Sequence, residues 1–238
     1  MQFDVEPDVP EENLVIIRCG LTNGQDFLDR ELGGGISDNA LANITVRVVA
    51  DGSSNVCCTA SASRIFFDVT HPHWAKDTEG SDEWPTEARR EKIVIHEFAH
   101  SWQGSLGCLQ KLGGSLWDEG IAEQVTYATV VENGFLTKKD VMDFMESAAK
   151  SGNGEQWNTP LRDLEANGSS VWPGHIGYLA LDYAMNMENA THGPISVRTL
   201  CEEVTNGATP EEAFQATFGT DKNSFYAQFE AWKNSQTA

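Results

Sequence analysis

The sequence has few basic side chains and no long apolar run. Its 238 residues include 16 Lys and Arg against 36 Asp and Glu, a formal net charge of −20 at pH 7. Such an acidic surface repels phosphate backbones, so we expect no nucleic-acid partner. No stretch of about 18 consecutive apolar residues occurs, so we also expect no membrane-spanning helix.

Paired-cysteine metal motifs, internal repeats and the basic and apolar blocks of a signal peptide are also missing. A chain from which a signal peptide had been removed would also lack these blocks, so their absence does not indicate the compartment. Five cysteines occur at spacings that fit neither a CxxC pair nor a zinc ribbon. One or two disulfides are expected if the protein is secreted.

Hydrophobic periodicity divides the chain into strands followed by helices. We expect strands at residues 13–18, 44–50 and 64–69. After Pro85 the pattern predicts helices at 86–103, 116–130, 138–150, 174–187, 195–204, 210–217 and 221–234. Thr137 caps one of these helices, and residues 209–212 form a capping box that contains proline. Strands before helices predict an α+β fold.

Two histidines on the helix expected at 86–103 point to a metal site. His96 and His100 are four positions apart, so their rings project from one helix face and can bind one ion. Glu97 can act on a metal-activated water without being a ligand. The neighbouring residues are apolar, so this helix is expected to be buried, where ionisable groups are costly unless a cation balances them.

A catalytic zinc site needs a third protein ligand and keeps one position for water. A metzincin would have Gly at 103 and His at 106, but the chain has Gln103 and Leu106, which excludes that class. Eighteen residues separate His100 from Glu119, which lies within the segment WDEGIA. Asp118 is a rival ligand, but on a helix it points about 100° away from Glu119.

The arrangement of HExxH, eighteen residues and EG.A resembles the gluzincin metallopeptidases, in particular the peptidase-MA-like domains and the catalytic domain of the large aminopeptidases. The resemblance runs from about residue 91 to the C-terminus, through GYLALDY at 177–183 and FEAW at 229–232. It implies a thermolysin-like architecture, with a small N-terminal mixed β-sheet lobe at 1–84, a mainly helical lobe at 85–238 and a zinc cleft between them.

The resemblance also implies site residues. One Zn²⁺ per chain would be bound by His96, His100 and Glu119. Glu123, four residues after Glu119 on the same helix face, would orient one histidine, His96.

Gluzincins stabilise the oxyanion with a Tyr or His from a later helix, for which Tyr178 and His175 are joint candidates. The family pattern often has Tyr at the position of Gly174. An edge strand beside the zinc often holds extended substrates, and residues 59–67 could supply it.

The expected function is zinc-dependent hydrolysis of peptide bonds in a peptide or protein substrate, with Glu97 as general base. Three alternatives stay open: a zinc hydrolase of a non-peptide substrate, a metal-retaining binding module without catalysis, and a structural protein with chance motifs. The intact Glu97 argues against the binding module, which has no use for a base. The GxMEN segment of aminopeptidases is absent, so exopeptidase activity is not predicted.

Small acidic peptidases of this kind are often exported. We therefore expect at least one oxidised cysteine pair and a secreted or extracytoplasmic location. The sequence does not indicate an oligomeric state.

Overall fold

A computed structural model of the chain describes residues 1–52, 54–76, 86–151, 154–167, 172–188, 190 and 193–236. In these residues the chain forms α-helices and one four-stranded mixed sheet, which confirms the α+β class. The chain separates into two compact units, Met1–Ser105 with Val125–Phe135, and Leu106–Gln124 with Leu136–Ala238. The boundary expected between residues 84 and 85 lies outside the described residues.

The sheet belongs to the first unit and has the strand order β1-β2-β4-β3. Its strands are β1 (Gln2–Val5), β2 (Thr45–Val49), β3 (Cys58–Ser61) and β4 (Arg64–Asp68). The β1–β2 and β2–β4 pairs are parallel, whereas β3 is antiparallel to β4 and forms one edge. The strands expected at 44–50 and 64–69 are thus confirmed.

The strand expected at residues 13–18 is wrong, because these residues lie in helix α1 (Glu11–Glu31). A short apolar run fits both a strand and a helix, and the residues that follow it decide the period. Buried positions along α1 recur three or four residues apart, as on one helix face: they are Asn13, Leu14, Ile17, Gly20, Leu21, Gly24, Phe27 and Leu28. Strand β1 and the short helices α2 (Asp38–Ala42) and α3 (Pro72–Lys76) are further elements that the sequence did not predict. The single edge strand expected at residues 59–67 is wrong, because the chain turns after Ser61 and these residues belong to the antiparallel pair β3 and β4, of which only β3 lies at the edge.

Helix α4 (Thr86–Leu106) carries the two histidines and is longer than expected. It continues through Gly104, where the sequence predicted its end. A Cβ on Gly104 would lie 2.7 Å from Cα of Ala62 in the β3–β4 turn, so this glycine allows a close approach instead of stopping the helix. Beside it, the Ser101 hydroxyl donates a hydrogen bond to the Ser61 carbonyl at 2.9 Å.

Helix α5 (Ser115–Glu132) contributes residues to both units. The second unit also contains α6 (Lys138–Lys150), α7 (Glu155–Asn158), α8 (Leu161–Asn167), α9 (Gly174–Met185), α10 (Ile195–Thr205), α11 (Pro210–Phe218) and α12 (Lys222–Ser235). All seven helices predicted after Pro85 are confirmed, with ends that differ by at most a few residues, and α7 and α8 are additional.

The core of the second unit is aromatic around Phe225, whose ring lies 4.9 Å from that of Phe214 and 5.9 Å from that of Phe229. A buried polar cluster adjoins it, in which the Glu165 carboxylate accepts a hydrogen bond from Trp117 Nε1 at 2.7 Å and contacts Lys222 and Tyr226. These contacts fix the start of α5, because Trp117 lies in its first turn.

Disulfides join Cys108 to Cys201 and Cys57 to its neighbour Cys58, whereas Cys19 is exposed and unbonded. The expectation of at least one oxidised pair is confirmed. Among the described helices, none is both long and apolar enough to cross a membrane.

Candidate metal centre

Helix α4 presents His96 and His100 side by side on one face. Their ring centroids are 4.8 Å apart and the rings are nearly perpendicular. On other faces of the same helix, Ile95, Phe98 and Trp102 are fully buried. This apolar packing holds the helix in place, and the four-residue spacing keeps the two rings together.

Glu119 of α5 completes the group. One ligand atom from each of His96, His100 and Glu119 lies within 4.8 Å of the other two. Ligand atoms of a tetrahedral zinc site are about 3.4 Å apart, so these atoms would move closer together around a bound ion. Two imidazoles and one carboxylate are a donor set typical of zinc and of other divalent transition metals. The three residues could therefore hold one metal ion.

His100 has a partner for its second ring nitrogen. Its Nδ1 lies 2.8 Å from Oε1 of Gln103, one turn along α4, and the Gln103 side chain is fully buried. The amide oxygen only accepts, so this contact suits the tautomer with the proton on Nδ1, in which Nε2 could bind a metal ion. Metal-bound histidines usually have such a partner. In the sequence Gln103 only excludes a metzincin, and no local signal indicates its contact with His100.

Glu119 also has a hydrogen-bond donor at one of its oxygens. Trp172, two residues before α9, donates from Nε1 to Glu119 Oε2 at 2.8 Å. The sequence does not indicate this contact of Trp172, because no local pattern connects residues that are 53 positions apart.

Asp118 and Glu97 are acidic residues next to the ligands in sequence, and neither belongs to the three-ligand group. Asp118 accepts a hydrogen bond at Oδ2 from the Gln110 backbone N–H at 3.0 Å. It thereby holds the loop before α5, in agreement with the expectation that it points away from Glu119. Glu97 follows His96 directly, is 8% exposed, and is not part of the three-ligand group.

Tyr178 is 2% exposed in α9 and accepts a hydrogen bond at its hydroxyl from Lys138 Nζ at 3.0 Å. Burial raises the Tyr178 pKa above its ordinary value, although the positive charge of Lys138 acts in the opposite direction. Asp182, which pairs with Lys138, and the buried Glu123 also raise this pKa. Glu123 is thus close enough to Tyr178 for its charge to matter.

His175 is half-buried between two aromatic rings. Its ring centroid is 4.8 Å from that of Trp172 and 5.7 Å from that of Phe144, and both contacts are edge-on. His175 Nδ1 also lies 3.5 Å from Nε2 of Gln156. His175, the second oxyanion candidate, therefore packs against Trp172, which in turn donates a hydrogen bond to Glu119.

No protein-family model, curated protein or solved structure matches this chain. The functional interpretation therefore depends on the chemistry and geometry of its own residues.

Proposed function

We propose that this chain is a zinc-dependent metallopeptidase of the gluzincin type that hydrolyses peptide bonds. The observation that carries the proposal is the convergence of His96, His100 and Glu119, with Glu97 on the same helix as the two histidines. The thermolysin-like architecture implied by the resemblance belongs to the same proposal.

Zinc is the preferred metal because two imidazoles and one carboxylate are a typical set of three protein ligands at catalytic zinc sites. The hydrogen bonds from His100 to Gln103 and from Trp172 to Glu119 support this choice, since such outer contacts orient the ligands. When bound, zinc supplies a Lewis acid that polarises the scissile carbonyl and makes water more acidic.

Glu97 would act as the general base. Its carboxylate would take a proton from the attacking water and deliver it to the nitrogen of the leaving amine. Its position directly after His96 on the same helix supports this role, because its carboxylate can reach a metal-bound water without being a ligand.

The donor to the developing oxyanion would come from α9. His175 is more accessible than Tyr178, which favours His175 as the residue that reaches the substrate. Because Lys138 donates to the Tyr178 hydroxyl, that hydroxyl has its own proton to donate in turn. The two residues therefore remain joint candidates.

Strand β3 would bind the substrate backbone. It lies at the edge of the sheet, where an extended peptide can add as a further strand. The Ser101–Ser61 hydrogen bond and the close contact of Gly104 with Ala62 attach the end of this strand to α4, within about one turn after His100. This attachment supports substrate binding close to the histidines.

The direct test is a peptide-library digest combined with metal analysis. We expect about one zinc per chain, and cleavage that stops with a chelator and returns with added zinc. A zinc-loaded protein that cleaves no peptide would favour the binding module or the non-peptide hydrolase instead. A protein that contains no transition metal and takes up none would contradict the site itself.

A further inference from the structure

The Glu119 carboxylate has two oxygens, and either one or both could face a metal ion. In the structure Oε2 accepts the indole N–H of Trp172 at 2.8 Å. An indole N–H can donate a hydrogen bond but cannot accept one, and it carries no charge. Its presence therefore stabilises a carboxylate that keeps Oε2 at the indole and turns only Oε1 to the ligand group.

The position of the Trp172 ring is itself restricted by Gly174. A Cβ at Gly174 would lie 2.9 Å from Cε2 of Trp172, the ring atom bonded to Nε1, and still closer to Cζ2 and Cη2. On its other side the indole packs edge-on against His175, with centroids 4.8 Å apart. Any side chain at position 174 would displace the indole, so the glycine is needed for the hydrogen bond to Glu119.

We propose that Trp172 is a positioning residue that makes Glu119 a one-oxygen ligand of the metal. The inference rests on the proposed metal site and adds what orients the carboxylate of Glu119, the third ligand. A carboxylate that binds through one oxygen leaves room at a four-coordinate ion for water and substrate. Without the indole, Oε2 is released and both oxygens can turn to the ion.

The test compares wild type with Trp172→Phe after loading with cobalt(II), whose visible absorption reports coordination number. We expect wild type to show the intense bands of a four-coordinate ion. Trp172→Phe should show the weaker bands of a higher coordination number, with metal affinity lower by on the order of 10–100-fold in a chelator competition. An unchanged spectrum in a folded Trp172→Phe protein would overturn the proposal, whatever the affinity.

Gly174→Ala gives a second route to the same result. This variant keeps the indole but displaces it, so it should reproduce the spectral change. In the double variant the alanine should add little, because no indole is left to displace, and the two effects should be non-additive. If Trp172→Phe fails to fold, a Gly174→Ala protein with the wild-type spectrum would overturn the proposal by itself.

Trp232→Phe is the matched control. It makes the same chemical change in α12, where Trp232 stacks on Phe229 at a centroid distance of 5.2 Å. Its spectrum and metal affinity should equal those of wild type. The outcomes also separate the two proposals: a wild type that binds neither zinc nor cobalt contradicts the metal site, whereas a wild type that binds one ion with variants that match it contradicts only the role of Trp172.

Discussion

Gly120 on α5 and Gly177 on α9 bring two helix backbones into direct contact, one residue away from Glu119. A Cβ on Gly120 would lie 2.8 Å from the carbonyl carbon of Gly177, and a Cβ on Gly177 would lie 2.5 Å from the Leu116 carbonyl oxygen. The obstructing atoms belong to the backbone, which cannot move aside as a flexible side chain can. The glycine of the EG.A motif is thus explained by helix packing.

The first prediction concerns this contact. Gly120→Ala and Gly177→Ala should each force the helices apart, lower the free energy of unfolding by about 1–3 kcal/mol, and weaken metal binding because Glu119 moves with α5. Urea unfolding and chelator competition measure the two effects. Gly134→Ala is the control: nothing lies within 4 Å of its Cβ and only its positive φ of 75° causes strain, so metal affinity should not change. Wild-type metal affinity in both test variants would contradict the prediction.

The second prediction separates the base from the ligands. Glu97→Gln should keep the metal and the fold. Its rate of peptide hydrolysis should fall by about 10²–10⁴-fold or more, the usual contribution of a general base. His96→Ala and Glu119→Ala should instead lose the metal, since each removes one of three protein ligands. Elemental analysis and cleavage of one library-derived peptide measure both properties. Full hydrolytic activity in Glu97→Gln would rule out the proposed mechanism.

The third prediction concerns the disulfide between Cys108 and Cys201. Cys108 lies in the loop between α4 and α5, and its partner is 93 residues away on α10, with both side chains fully buried. Replacing both by alanine should lower the free energy of unfolding by about 2–4 kcal/mol, because the unfolded chain gains freedom. Cys19→Ser should leave it unchanged, since Cys19 is exposed and unbonded. If the unfolding midpoint of the variant with alanine at both Cys108 and Cys201 equalled that of wild type, the disulfide would not stabilise the fold.

The fourth prediction follows from the raised Tyr178 pKa. A tyrosine whose folded pKa exceeds its unfolded value of about 10 contributes stability below that pH, and the contribution is lost as pH rises through the folded pKa. Wild type should therefore lose stability more steeply above about pH 10 than Tyr178→Phe does. Because Lys138 lowers the Tyr178 pKa, Lys138→Met should move the phenolate absorbance step to still higher pH. A step that moves to lower pH would contradict the assigned role of Lys138.

Local signals were enough to predict most helices after Pro85. Helix α6 begins and ends at the predicted residues. Its start is set by a capping box between Thr137 and Asp140. The start of α11 is set in the same way by Thr209 and Glu212. Caps act over three residues, so they can be read from the sequence without knowledge of the fold. The pairing of His96 with His100 is equally local, since it needs only one helical turn.

Two local predictions failed where packing overrides the local pattern. The apolar run at 13–18 resembles a strand, but Gly20 and Gly24 further along α1 allow close packing on α4. A Cβ on Gly24 would lie 2.9 Å from Cδ1 of Phe98. Gly104 resembles a helix stop, but it serves the contact with Ala62. In each case the glycine is required by a partner that is distant in sequence, and a single sequence does not show which partner that is.

The sequence by itself determined the α+β class, seven of the described helices after Pro85, and the candidate ligands His96, His100 and Glu119, because these depend on periodicity, caps and motif spacing. Tertiary structure alone decided how the ligands are supported: Trp172 meets Glu119, and Gly120 meets Gly177. Gln103 is close to His100 in sequence, yet only burial shows that its amide faces the ring and not solvent. The physical reason is that hydrogen bonds and close contacts between distant residues depend on how helices pack, which local periodicity does not encode.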